Sequence, residues 1–227
     1  AMVCVGMASS AAAILGDAPS ISVEGAFQVG PVDGYLQTPA GGQPGTTSSN
    51  RPTLNELGFD RVSIYDGSAR VQWAQHTLYG GAELVRLSGD EMLARPLVSQ
   101  NVAFEAGDRV ESDVQLDWYR LVYLHPFNGW PERGDLSLSL GADVAMFDFH
   151  YTLDGTAGSV DRSYAKVAVR LGGELGWTLT RRLSMCARAF ESLPFSNTPS
   201  ILTLELRGYY RLVESQRVRA DAYIGFG

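Results

Sequence analysis

Residues 165–188 constrain the fold more than any other stretch of the chain. Alternate positions read Ala165, Val167, Val169, Leu171, Gly173, Leu175, Trp177 and Leu179. The residues between them are Lys166, Ala168, Arg170, Gly172, Glu174, Gly176, Thr178 and Thr180. Successive side chains of a β-strand point to opposite faces, so this is a strand with one apolar face and one small, polar and charged face. It is much longer than the roughly five or six residues usual in soluble sheets. A tight turn at Thr180, Arg181 and Arg182 follows. The alternation then resumes, with Leu183, Met185, Ala187 and Ala189 against Ser184, Cys186, Arg188 and Phe190. A long two-faced hairpin is the repeating unit of a β-barrel that crosses a membrane.

The same code recurs at residues 21–29, 136–146, 202–212 and 218–226. Between these strands the pattern predicts interruptions. Residues 30–58 are rich in Gly, Pro, Ser and Thr and read as a long loop. It either binds something at the surface or folds into the barrel mouth, and the plainer reading is a mobile extracellular loop with no ligand. Asn50 or Thr53 is placed to cap a short helical turn inside it that stops at Gly58. Val62 and Ile64 read as a short strand ending in a hairpin turn at Asp66 and Gly67. A change of phase predicts a bulge or break between His76 and Gly81. A second, acidic loop is expected over 88–111. After Trp118 the phase is ambiguous, because Tyr119, Leu121 and Tyr123 also form a face. Further breaks are expected at 126–134, 154–161, 196–199 and 214–216.

Alternation does not say which face is inside. A soluble lipocalin-like barrel is apolar within, and a membrane barrel is the inverse. Four features favour the membrane barrel. The polar faces combine Gly, Ala, Ser and Thr with charges of both signs, as a narrow interior requires. The charges of Asp143, Arg170, Glu174, Arg188, Glu205, Arg207, Arg211, Arg219 and Asp221 are placed to pair across such a lumen. The clearest strands run about ten residues or more, the length a tilted membrane strand needs. Finally, Trp118, Phe147, Trp177 and Tyr210 fall towards strand ends, where interfacial aromatic girdles lie.

Composition removes other classes. A net charge of −7 argues against a nucleic-acid partner. No apolar window of about 20 residues exists, so no spanning helix is expected. Cys4 and Cys186 have neither metal nor redox spacing and read as small buried residues. Residues 1–19 are apolar and rich in small side chains, and read as a signal remnant, a first strand or a packed tail. Residues 20–227 read as the barrel domain.

With these strands, tight turns such as TRR and ESQR, Gly-rich loops and a last strand ending at Phe226, the chain resembles small Gram-negative outer-membrane β-barrels of the OmpA/OmpW sort. The resemblance is one of pattern over about Ser20 to Gly227 and carries no single signature motif. It implies an antiparallel transmembrane barrel of about 8–10 strands in the bacterial outer membrane. It further implies long loops after Gly30, Ser88 and Asp154 on the outer side. The turns at Asp66, Thr180 and Glu214 would lie in the periplasm with both termini. About nine strands are countable, whereas such barrels have an even number. Either the count is off by one, residues 2–15 supply a strand, or the chain stops before its last strand.

Candidate chemistry is sparse. Some outer-membrane barrels hydrolyse lipids with a Ser, a His and an acid facing the bilayer. His150 lies two residues from Asp148, with Ser163 on the neighbouring strand. The plainer reading of His150 is an interfacial residue. His76 reads as a lumen or bulge residue, and His125 precedes a turn proline. No nucleotide loop, metal cluster or haem motif is present, so neither metal nor cofactor is expected. The interior of an eight- to ten-stranded barrel is nearly filled by its own side chains. The leading expectation is therefore a non-enzymatic barrel, structural or interacting, or a narrow passage for small or hydrophobic solutes. A lipid-modifying hydrolase ranks second and a soluble ligand-binding barrel third. The bilayer and lipopolysaccharide are the expected partners.

Overall fold

The computed structural model describes residues 4–11, 19–39, 49–127, 135–194, 201–214 and 219–226. Ten of its strands close into one antiparallel barrel. These are β1 (Cys4–Ala11), β2 (Ser20–Pro31), β5 (Arg61–Trp73), β6 (His76–Met92), β9 (Arg109–Pro126), β10 (Leu136–Gly155), β11 (Gly158–Thr178), β12 (Leu183–Ser192), β13 (Leu202–Glu214) and β14 (Arg219–Phe226). Two small hairpins, β3 (Thr38–Pro39) with β4 (Ser49–Asn50) and β7 (Leu97–Ser99) with β8 (Val102–Phe104), lie outside the wall. Every strand of the barrel pairs with its neighbours in sequence, and β1 closes the ring by pairing with both β2 and β14. The strand missing from the sequence count is Cys4–Ala11.

The long connections, 32–60 and 93–108, leave one rim of the barrel, here the loop rim. The turns 74–75 and 179–182 lie at the opposite turn rim. Contrary to the expected arrangement, the described chain starts at Cys4 and ends at Phe226 on the loop rim.

Several expected breaks are not breaks. Asp66 and Gly67 sit in the middle of β5, where Gly67 pairs with Gly25 on one side and Ala82 on the other. Asp66 points into the barrel and is buried there, so an Asp-Gly pair that usually turns a chain is here a lumen residue beside a wall residue. The actual turn is Ala74–Gln75, between the paired residues Trp73 and His76, with Ala74 at φ 47°. A two-residue turn keeps Trp73 and His76 on one face, which produces the apparent change of phase without any bulge. The ladder of β6 is continuous against both β5 and β9 through Gly80 and Gly81. The expected loops at 88–111 and 154–161 shrink, because strands run on beyond the wall to Met92, Arg109, Gly155 and Gly158. The expected turns at 126–134 and 214–216, the break at 196–199 and the small-residue run Ala11 to Ala13 fall largely outside the described residues.

The burial pattern decides which face is inside. Alternate residues of β2, β10, β11 and β13 are large, apolar and exposed, with Leu202 and Leu204 each 62% exposed. The buried set includes Asp66, Asp143, Arg170, Arg188 and Asp221. A soluble barrel would show the reverse, so the polarity is that of a wall facing lipid.

The polarity does not hold along the full length of the strands. On β9 the outward residues run Arg109, Glu111, Asp113, Gln115, Asp117, and then Tyr119, Leu121, Tyr123. The inward ones run Val110, Ser112, Val114, Leu116, Trp118, and then Arg120, Val122, Leu124. On β10 the outward residues Leu140, Ala142, Val144 and Met146 give way to Asp148, His150, Thr152 and Asp154. The strand geometry is unbroken and only the surroundings change. Below Asp117 the outside is apolar and the inside charged; above it the outside is polar and the inside apolar. The ambiguous phase after Trp118 is this exchange.

Above the exchange, an apolar cluster fills the loop-rim mouth. Val62, Leu87, Val110, Val114, Tyr151, Leu153 and Val160 of the wall pack with Leu36, Leu57, Phe59, Leu93, Leu97 and Phe104 of the two long connections. The described part of the 30–58 loop is therefore a packed cap and not the mobile loop expected from its composition, because Leu36, Leu57 and Phe59 are buried in this cluster. Thr53 and Glu56 exchange hydrogen bonds around the short 3-10 turn Asn55–Leu57. The Thr53 N–H donates to Glu56 Oε2 at 2.7 Å, and the Glu56 N–H donates to Thr53 Oγ1 at 3.2 Å. Gly58 ends the turn at φ 75°. The turn presses on β6 so closely that a Cβ at Gly89 would lie 2.3 Å from the Leu57 carbonyl oxygen. Only glycine fits at 89.

Candidate functional site

The lower half of the barrel encloses a charged lumen. Arg170 and Asp143 are directly paired residues of β11 and β10, and both side chains are 0% exposed. Arg170 Nε donates to Asp143 Oδ1 at 2.8 Å, Nη2 contacts Oδ2, and Nη1 donates to Thr203 Oγ1 at 2.9 Å. Its guanidinium also lies 5.1 Å from the centre of the Trp118 ring and 5.8 Å from that of Phe190.

A second group ties opposite walls together. Arg70 on β5 donates to Glu174 on β11, with Nη1 to Oε1 at 3.0 Å. Arg188 on β12 donates from Nε to the same carboxylate at 2.6 Å. Arg120 on β9 pairs with Glu205 on β13, which also meets Arg188 at 3.6 Å and Arg207 at 3.3 Å. Arg207 then donates to Glu24 on β2 at 2.8 Å. Tyr79 lies between the guanidinium groups of Arg120 and Arg188, at 5.2 and 5.1 Å. Arg211 and Asp221 approach to 3.8 Å nearer the turn rim. Buried charges of this density persist only when paired and hydrogen-bonded, and each arginine here faces at least one carboxylate.

Eight of the nine charges picked from the sequence thus fall into three groups. Arg170 with Asp143 is one. Glu174, Arg188, Glu205 and Arg207 form the second. Arg211 with Asp221 is the third. Arg219 lies on β14, and its side chain is outside the described part. Alternation missed Arg70, Arg120 and Glu24 as members. Arg120 was hidden by the ambiguous phase of β9, and Arg70 by the false turn at Asp66 and Gly67. Cys186, also on the inner face, is a free thiol.

The four aromatic residues divide. Trp177 and Tyr210 face outward at the turn rim, each 48% exposed, joined there by Trp73. Trp118 and Phe147 do not belong to a girdle. They point inward and stack on one another, with ring centres 6.0 Å apart, and Trp118 lies against the Arg170 guanidinium. Both stand on the inner side of the strand at the point where the polarity exchanges. The outward aromatics at that level are Tyr65, Phe27 and Tyr119.

The histidines also separate. His150 and Ser163 are directly opposed across the β10–β11 ladder on the outer face, just above the apolar band. The acid that approaches His150 is Asp161, with Nε2 to Oδ1 at 3.7 Å, and not Asp148. His76 and His125 sit outward at the turn rim, not in the lumen. Among the described residues no group of three or more His, Cys, Asp or Glu is placed to hold a metal ion.

No family model and no curated protein matches the chain. Among solved structures, the translocator domain of the autotransporter NalP from Neisseria meningitidis is similar to it. The TM-score is 0.43 at 10% identity, over 100% of this chain and 86% of that one.

Outside the apolar band, Glu56 of the cap has its carboxyl held below the usual range, first by the Thr53 backbone N–H and then by Arg95, whose Nη2 donates to Oε2 at 2.9 Å.

Proposed function

We propose that this chain is an outer-membrane β-barrel of the Gram-negative type with a structural or interaction role, and that its lumen does not conduct. The carrying observation is the pairing of Arg70 with Glu174 and of Arg120 with Glu205, which ties opposite walls together below a mouth filled by Leu57, Phe59, Phe104 and Tyr151. A pore needs a continuous wet path, and paired side chains crossing the lumen remove it. The partner this reading implies is the bilayer, with lipopolysaccharide in one leaflet. Planar-bilayer recording of the refolded protein tests it: no stepwise conductance is expected. Steps that grow on Arg120→Ala would turn the reading into a gated narrow passage.

A second reading, an outer-membrane lipid hydrolase, has one observation in its favour. Ser163 faces His150 on the outer surface just above the apolar band. Phospholipid hydrolysis by the refolded protein that disappears in both Ser163→Ala and His150→Ala would establish it.

A further inference from the structure

His76 opens β6 and His125 lies at the end of β9. The ladder between these strands pairs Thr77 with Leu124. One step further along it His76 and His125 face each other, on the outer side of the wall. Their ring centres are 5.5 Å apart. Directly opposed residues of an antiparallel pair have Cβ atoms about 5 Å apart, so two imidazoles there reach one point without moving the backbone.

Three features prepare the pair. Tyr123 Oη lies 2.7 Å from His76 Nδ1. With Nδ1–H donating to that oxygen, the lone pair of His76 is on Nε2, the arrangement in which a second-shell partner fixes a ligating histidine. The Trp73 ring stacks on His76 at 5.5 Å and holds its plane. His125 Nδ1 is buried and has no hydrogen-bond partner among the described residues, which leaves that nitrogen open to a ligand. Two neutral imidazoles are ligands for zinc, nickel and copper, and among these copper(II) binds tightest.

We propose that His76 and His125 chelate one divalent transition-metal ion at the turn rim, each through one ring nitrogen, with water in the remaining positions. Tyr123 acts as a positioning residue for His76. No bond to carbon forms or breaks, and the ligands bind as neutral imidazoles.

The test is titration of the full chain, folded in detergent micelles, with copper(II) followed by electron paramagnetic resonance. One tightly bound ion per chain with two imidazole nitrogens is expected. His76→Gln and His125→Gln should each abolish the two-nitrogen signal, while His150→Gln, far away at the other rim, leaves it intact. Tyr123→Phe should keep the signal and weaken binding about tenfold. Heat-modifiable gel migration confirms that each variant is folded. A signal unchanged in the His76→Gln/His125→Gln double variant, or one carrying a single nitrogen, overturns the proposal.

Discussion

The two halves of the barrel wall are made from the same strands and obey opposite rules. Below Asp117 and Met146 the wall turns Leu, Val and Trp outward and hides Arg, Glu and Asp. Above them it turns Asp, Gln and Thr outward and hides Val, Leu and Tyr. No bulge or turn marks the change on β9 or β10, whose registers are unbroken against each other and against their other neighbours. Pleat geometry fixes only that two faces exist. The solvent on each side fixes which residues they carry. The lower half is solved for lipid outside, so its interior must be held by ion pairs. The upper half is solved for water outside and has an ordinary apolar core, completed by the cap.

The largest effect should come from removing one buried charge in the lower half. Arg170→Met leaves Asp143 unpaired in a site with no exposure, at a cost of about 3–5 kcal/mol. The midpoint of urea unfolding in detergent measures it. Replacing both residues, as Arg170→Met with Asp143→Leu, should recover most of the loss, because the cost is the orphaned charge and not the missing attraction. The matching change in the cap, Arg95→Met, breaks an exposed pair with Glu56 and should cost less than about 1 kcal/mol. Equal losses from the two arginines would end the distinction between the halves.

The boundary itself is open to a scan along one face of one strand. Val144 and Thr152 both face outward on β10, on either side of the exchange. Val144→Arg should cost about 2–4 kcal/mol in a bilayer, and Thr152→Arg about 0–1. Folding into vesicles of defined lipid reads both. If Val144→Arg is tolerated as easily as Thr152→Arg, the apolar band does not face lipid.

Much of the lower half was legible in the sequence, and the reason is physical. In a thin wall between lipid and a narrow lumen every strand residue has only two environments, so period-two alternation survives at 136–146, 165–177 and 202–212. The errors cluster where that condition fails. Aromatic residues near strand ends suggest an interface, which is why Trp118 and Phe147 read from the sequence as girdle residues. They stand instead at the exchange, where the inward face becomes apolar. Asp66 and Gly67 form a turn dipeptide by local chemistry, yet the lumen needed a carboxylate there and the wall tolerated a glycine. The cap left almost no periodic signal. Its core contributions are single residues, Leu36, Leu57 and Phe59, scattered through polar loop sequence. The ties Arg70–Glu174 and Arg120–Glu205 join residues 104 and 85 positions apart, and only closure of the ring brings them together.

The smallest effects belong to the cap's polar fastening, and they separate the halves by pH. Thr53→Ala removes one side of the reciprocal hydrogen bonding around the 3-10 turn and should cost about 1 kcal/mol or less. Glu56 is exposed, and its carboxyl lies below the ordinary glutamate value because the Thr53 N–H and then Arg95 favour the charged form. A carboxyl lowered in the folded state stabilises above its unfolded pKa, and that contribution disappears as pH falls through the folded value. Acidification below about pH 4 should therefore loosen residues 53–58 against Gly89. Amide chemical shifts of Thr53 and Gly58 would follow the change, and Glu56→Gln should flatten their acid response. If the response persists in Glu56→Gln, the cap is fastened by its apolar contacts alone, and the Thr53–Glu56–Arg95 cluster is only a solvated surface.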